Sequence, residues 1–144
     1  MRKLNSVDVS ANVQRQIDTK LRECIKTAER YYGQKFAFPK VTFNVRGTTG
    51  GYAHCREWRV DFNSVLLMEN QEDFITRTVP HELAHLIDYQ LHPENHEGRV
   101  MIDRWGNYRR QKREIHGPAW KSVMRVLGAD PSRCHNYDTT NSRV

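Results

Sequence analysis

The string Thr78-Val79-Pro80-His81-Glu82-Leu83-Ala84-His85-Leu86 decides how the rest of the chain is read. Two histidines four residues apart lie one turn apart on a single helix face, so their imidazoles can converge on one ion without bending the backbone. Glu82 stands beside that pair, within reach of a water on the ion. Leu83 and Ala84, between the ligands, are apolar, as in a helix that packs into a core. With 7 histidines in 144 residues, chance gives about 0.02 such H-E-x-x-H strings. Polar groups without partners are costly to bury, so two histidines and a glutamate on an apolar helix call for a function. Zinc supplies one: it brings the pKa of a coordinated water to about 7, where a neighbouring carboxylate can take the proton. The competing reading is two solvated histidines on an amphipathic helix.

A catalytic zinc site takes three protein ligands and keeps a fourth position open. His92, His96, His116 and His135 are the candidates for the third ligand, with Glu94, Glu97 and Glu114 as carboxylate alternatives. A metzincin-type third histidine fails, because Leu91 and Asp88 occupy the positions where that pattern needs His and Gly. His116 stands out, since it precedes Gly117-Pro118-Ala119-Trp120 at a helix start and so projects from a rigid element. His92 and His96 flank Pro93 in a polar loop and read more simply as exposed histidines.

Outward from the motif, the pattern predicts a mixed α and β domain. Val13, Ile17, Leu21, Cys24, Ile25, Ala28 and Tyr32 recur at steps of three and four, which makes 10–32 a long amphipathic helix with Ser10 as N-cap and Gly33 as stop. After Pro39 the period becomes two: 41–45, 52–55 and 58–62 read as about three strands of a small antiparallel sheet, with a turn at 47–51. A helical segment follows at 72–91, where Pro80 either bends one helix or starts a second. Residues 92–115 are polar and rich in Arg. A last helix runs from about Gly117 to Leu127, and the polar tail 136–144 is expected to be loose. The whole reads as one domain, 1–144, with its core at about 10–135.

Composition narrows the class. Lys and Arg total 23 against 17 Asp and Glu, a net charge of +6, and a basic surface favours polyanions such as nucleic acid. No run of 18 apolar residues exists, so a membrane span is excluded. The N-terminus has no apolar signal-peptide core, and three separated cysteines (Cys24, Cys55, Cys134) make no disulfide framework, which together point to the cytoplasm. Mean hydropathy is −0.81, polar for a folded domain.

These residues resemble a known family. Residues 78–86, followed by His116-Gly117-Pro118-Ala119-Trp120-Lys121, are similar to the SprT-like metalloprotease domain, which includes bacterial SprT and the eukaryotic Spartan proteases. Gly51-Tyr52-Ala53, Leu66-Leu67, Val126-Leu127-Gly128 and Arg133-Cys134-His135 support the likeness, which runs from about Leu21 to Asp138. The resemblance implies a zincin-like α+β fold, one catalytic Zn²⁺ held by His81, His85 and His116, and Glu82 as catalytic base. It also implies hydrolysis of proteins bound or crosslinked to DNA, hence DNA–protein crosslink repair in a bacterial or phage-infected cell. The paired cysteines of the C-terminal zinc ribbon usual in bacterial SprT do not occur, so a minimal single-domain member is expected. The insertion before His116 carries Arg99, Arg104, Arg109, Arg110, Lys112 and Arg113 with Trp105 and Tyr108 interleaved. Arg104, Arg109, Arg110 and Arg113 are expected to contact nucleic acid, with the aromatics stacking on bases. The alternative is a solvated helix face with Trp105 in the core. At the level of the whole chain, the rival is a zinc-stabilised DNA-binding or adaptor module that cleaves nothing.

Overall fold

The structure is a computed structural model describing residues 6–97, 100–110, 115–132 and 135–143. Helix α1 spans Ala11–Tyr32, where Ser10 Oγ accepts the Val13 N–H (3.2 Å) and Gly33 ends the helix in the left-handed region at φ 67°. Its buried stripe is the predicted one, Val13 through Ala28. Three strands follow: β1 (Lys40–Val45), β2 (Gly51–His54) and β3 (Arg59–Asn63).

The sheet corrects the antiparallel expectation. Its order is β1-β3-β2, with β2 antiparallel to β3 but β1 parallel to β3. Alternating side chains mark a strand without naming its neighbour, and here the 46–50 loop carries the chain past the position next to β1 to the far edge. Asn63 fixes that loop. It is fully buried, its side-chain N–H groups donate to the carbonyls of Gly47 (3.0 Å) and Thr49 (2.9 Å), and its backbone N–H donates to Gly50 O (2.8 Å). Its Oδ1 also accepts from Leu66 N (3.2 Å), capping helix α2 (Ser64–Glu69).

A short helix α3 (Gln71–Asp73) runs through a π-helical turn at Phe74–Thr78 into α4 (Val79–Leu91). The wide turn sits immediately before Pro80, which lacks the N–H that an α-helical ladder would require. The chain therefore stays helical through the proline. Helix α5 (Glu94–Glu97) and a hairpin of β4 (Val100–Ile102) with β5 (Tyr108–Arg110) fill the insertion, and α6 is Pro118–Val126. The hairpin replaces the polar loop or helix face expected there.

The core lies where α1, α4 and α6 meet the sheet. Leu21, Phe62, Leu66, Phe74, Leu83, Leu86, Ile87, Trp120 and Met124 are among its fully buried side chains. The tail is also corrected, because 135–143 packs onto the body. Tyr137 stacks on Phe74 (centroids 5.8 Å) and its hydroxyl pairs with Thr78 Oγ1 (2.8 Å), His135 Nε2 donates to Thr48 O (2.7 Å), and Thr139 and Ser142 are buried. Polar residues hold this segment through hydrogen bonds, which a hydropathy reading does not register. None of the described helices is long and apolar enough to cross a membrane.

Candidate metal centre and active site

Helix α4 delivers His81, Glu82 and His85 from its first two turns, and the turn before α6 delivers His116. The three Nε2 atoms converge: His116 Nε2 lies 3.1 Å from His85 Nε2 and 3.2 Å from His81 Nε2. Tetrahedral zinc with Zn–N bonds of about 2.0–2.1 Å would set its nitrogens about 3.3 Å apart. The donor set and its spacing therefore fit zinc. Among the described residues these three histidines are the one group whose ligand atoms gather in this way.

Electrostatics favour the same occupant. Burial pushes His81 down to about 4, and the neighbouring His116 adds to the shift. Burial, followed by the His81 and His116 rings, holds His85 well below its ordinary value. Both rings are thus neutral at physiological pH and offer the lone pairs a cation needs. Ligation through Nε2 leaves Nδ1–H to be oriented by an acceptor. At His81 the Ser132 main chain works against the downward shift.

Trp120 forms the floor. It is fully buried, and its ring lies 4.7 Å from His81, 5.4 Å from His85 and 4.9 Å from His116, centroid to centroid. Its Nε1–H donates to the His81 carbonyl (3.3 Å), tying α6 to the ligand helix. The sequence marked Trp120 as the apolar side of the last helix and as part of the motif that begins at His116. Sequence reasoning had no signal for Ser132, whose contribution is main-chain.

Glu82 is 5% exposed and lies against the start of β2. Burial pushes its carboxyl up to about 8. This carboxyl lies one residue from His81 and three from His85, where a carboxylate can serve as a proton acceptor and donor.

The other candidate ligands are placed elsewhere. His92 follows the end of α4, about 10 Å along the axis from His85, and its ring is 3.9 Å from Glu94. His96 is held through Nε2 by the fully buried Asp88 (3.1 Å), and its ring centroid is 6.0 Å from that of His85. Its Nδ1 faces Cys55 Sγ at 3.9 Å, and burial pushes that thiol up to about 11, so Cys55 stays protonated. His135 bonds Thr48, as above. Glu114 and Cys134 lie outside the described residues.

Of the expected nucleic-acid contacts, Arg104 is exposed on the hairpin turn with its guanidinium 4.4 Å over the Trp105 ring. Trp105 is 70% and Tyr108 77% exposed, so Trp105 is not a core residue. Arg109 and Arg110 fall within β5, and Arg113 lies outside the described residues. The turn is ordered by Asp103, whose Oδ1 accepts from the N–H groups of Trp105 (2.9 Å) and Asn107 (3.0 Å).

Comparison with known proteins settles the kinship. A sequence model described as the SprT-like family matches residues 21–100. The chain belongs to the SprT-like family. It is 37% identical over 131 residues to Protein SprT of Pasteurella multocida, covering 90% of this chain and 68% of the relative. Protein SprT of Pseudomonas putida is 36% identical over 130 residues (90% and 69%), and that of Shewanella oneidensis 34% over 128 (88% and 70%). No solved structure matches the chain significantly. The SprT-like match takes in His81, Glu82 and His85 but ends before His116, so the third ligand rests on the geometry of this chain.

Proposed function

We propose that this SprT-like protein is a zinc metalloendopeptidase of zincin-like fold, acting in the cytoplasm on proteins bound or crosslinked to DNA. The observation that carries the reading is the meeting of three imidazole Nε2 atoms beside a buried glutamate on the same helix turn. The SprT-like family is generally a metalloprotease family. Zinc, when bound, supplies Lewis acidity to the attacking water and to the scissile carbonyl. His81, His85 and His116 would hold it, and Trp120 keeps the three rings in register. Glu82 takes the proton of the attacking water and returns it to the leaving amine nitrogen. Substrate targeting is assigned to the net positive charge and to the insertion, where Arg104, Arg109, Arg110 and Arg113 would contact phosphates.

Glu82→Gln tests the reading. The variant should keep zinc and any DNA affinity but lose cleavage of a DNA-binding protein loaded on an oligonucleotide, self-cleavage included. Equal cleavage by wild type and variant would reject it. A zinc-stabilised adaptor, the rival reading, has no use for a desolvated carboxylate beside its ligands and would cleave nothing in either form.

A further inference from the structure

We propose that Gly51 is a positioning residue for Glu82: the missing side chain at the first residue of β2 is the space in which the glutamate carboxylate is held. The inference rests on Glu82 being the proton carrier of the proposed reaction. Glycine is not required here by backbone conformation, since Gly51 is not among the residues with positive φ. It is required by clearance. A Cβ at position 51 would stand 3.1 Å from Glu82 Cγ, 3.2 Å from Glu82 Oε2 and 3.0 Å from the Asp61 carbonyl oxygen. Each separation is closer than ordinary van der Waals contact, so something must move.

The contact to Asp61 O is main chain within the sheet, whereas the two to Glu82 are side chain. Gly51 pairs with Phe62 and Tyr52 with Asp61 in the antiparallel ladder. Asn63, fully buried, bonds the preceding loop at Gly47, Thr49 and Gly50. The softer partner is the Glu82 side chain, whose Cγ and Oε2 would give way from β2 by a few tenths of an ångström, while the Asp61 O contact strains the strand pairing itself. Because proton transfer requires hydrogen-bond reach of the reacting water, a shift of even a few tenths of an ångström at this carboxylate lowers the rate. Gly50 is the internal comparison. A Cβ there would meet His135 Cδ2 at 3.5 Å and Thr78 Cγ2 at 3.6 Å, which is ordinary contact. Of two adjacent glycines, one leaves room for the glutamate and the other does not touch it.

The test uses the zinc-loaded full chain and the variants Gly51→Ala, Gly50→Ala and Glu82→Ala, singly and combined, with the cleavage assay above, zinc content and melting temperature. Gly51→Ala should lower kcat about three- to tenfold, leave KM within about twofold and retain one zinc per chain. Gly50→Ala should stay within about twofold of wild type. The second readout is independent of turnover: the melting-temperature loss from Gly51→Ala should fall by about half in the Glu82→Ala background, where Cγ and Oε2 are gone. Unchanged kcat in Gly51→Ala, or additive melting-temperature losses, would overturn the proposal. If Gly51→Ala alone does not fold, the Gly51→Ala/Glu82→Ala chain should, and failure of both is again contrary. If the wild type cleaves nothing, the protease reading fails, while thermal coupling between 51 and 82 still decides the positioning.

Discussion

Removing zinc should expose a pH-dependent instability written into Glu82. Its carboxyl titrates near 8 in the folded chain against an ordinary value of 4.5, because burial disfavours the charged form. Between those values the folded state binds a proton that the unfolded state has released, so stability falls as pH rises. The slope is about 1.4 kcal/mol per pH unit. From pH 6.5 to 8 the metal-free chain should therefore lose about 2 kcal/mol from this group. Below 6.5 the histidines act in the opposite sense. His81, at about 4 folded against 6.5 unfolded, stays neutral while the unfolded chain takes up its proton, so stability is lost as pH falls from 6.5 towards 4. The metal-free protein should be most stable near pH 6.5. Urea denaturation in excess chelator at half-unit steps from pH 5 to 8.5, for wild type and Glu82→Gln, reads this directly. Groups titrating elsewhere cancel in the comparison, and the variant should lose the alkaline decline. Parallel profiles for the two proteins would refute the claim that Glu82 is desolvated in this fold.

Other outcomes follow from the same geometry. His116→Ala should weaken zinc binding about a hundred- to a thousandfold, since a binding energy of about 10–16 kcal/mol is shared among some four ligands; His96→Ala should change it about threefold or less, both read by chelator competition. Trp120→Phe keeps a ring but removes the donor to the His81 carbonyl, and should cost about 1–3 kcal/mol in denaturant unfolding. Trp105→Ala, at a 70% exposed site, should leave stability within about 0.5 kcal/mol. Arg104→Ala should weaken oligonucleotide binding and lower its salt dependence by about one ion, measured by titration at several salt concentrations.

The sequence was most legible where a pattern is local. The α1 stripe, its Ser10 and Gly33 ends, the H-E-x-x-H helix and the Gly117-Pro118 start of α6 each declare themselves within a few residues, and the structure places them accordingly. Non-local pairing was not legible: the period-two residues of β1 mark a strand, but its parallel partnership with β3 depends on where the 46–50 loop leads. The β4–β5 hairpin escaped because its strands are three residues each and β5 carries two arginines, although Gly106-Asn107 carries turn chemistry. The docked tail escaped because Thr139 and Ser142 are polar, and their burial is bought by hydrogen bonds. At the site, His81, Glu82 and His85 stood out by residue type and spacing, and His116 by its place at a helix start and the family resemblance; the structure gathers the three histidines. Trp120 as floor and Gly51 as clearance were not legible, since each acts through shape.

X-ray absorption at the zinc edge of the metal-loaded protein examines the central arrangement most directly. Three imidazole nitrogens at about 2.0–2.1 Å with one further light ligand are predicted, and one imidazole should disappear in His116→Ala. A sulfur neighbour at about 2.3 Å, which would bring in a cysteine, or a wild-type spectrum unchanged by His116→Ala, would contradict it.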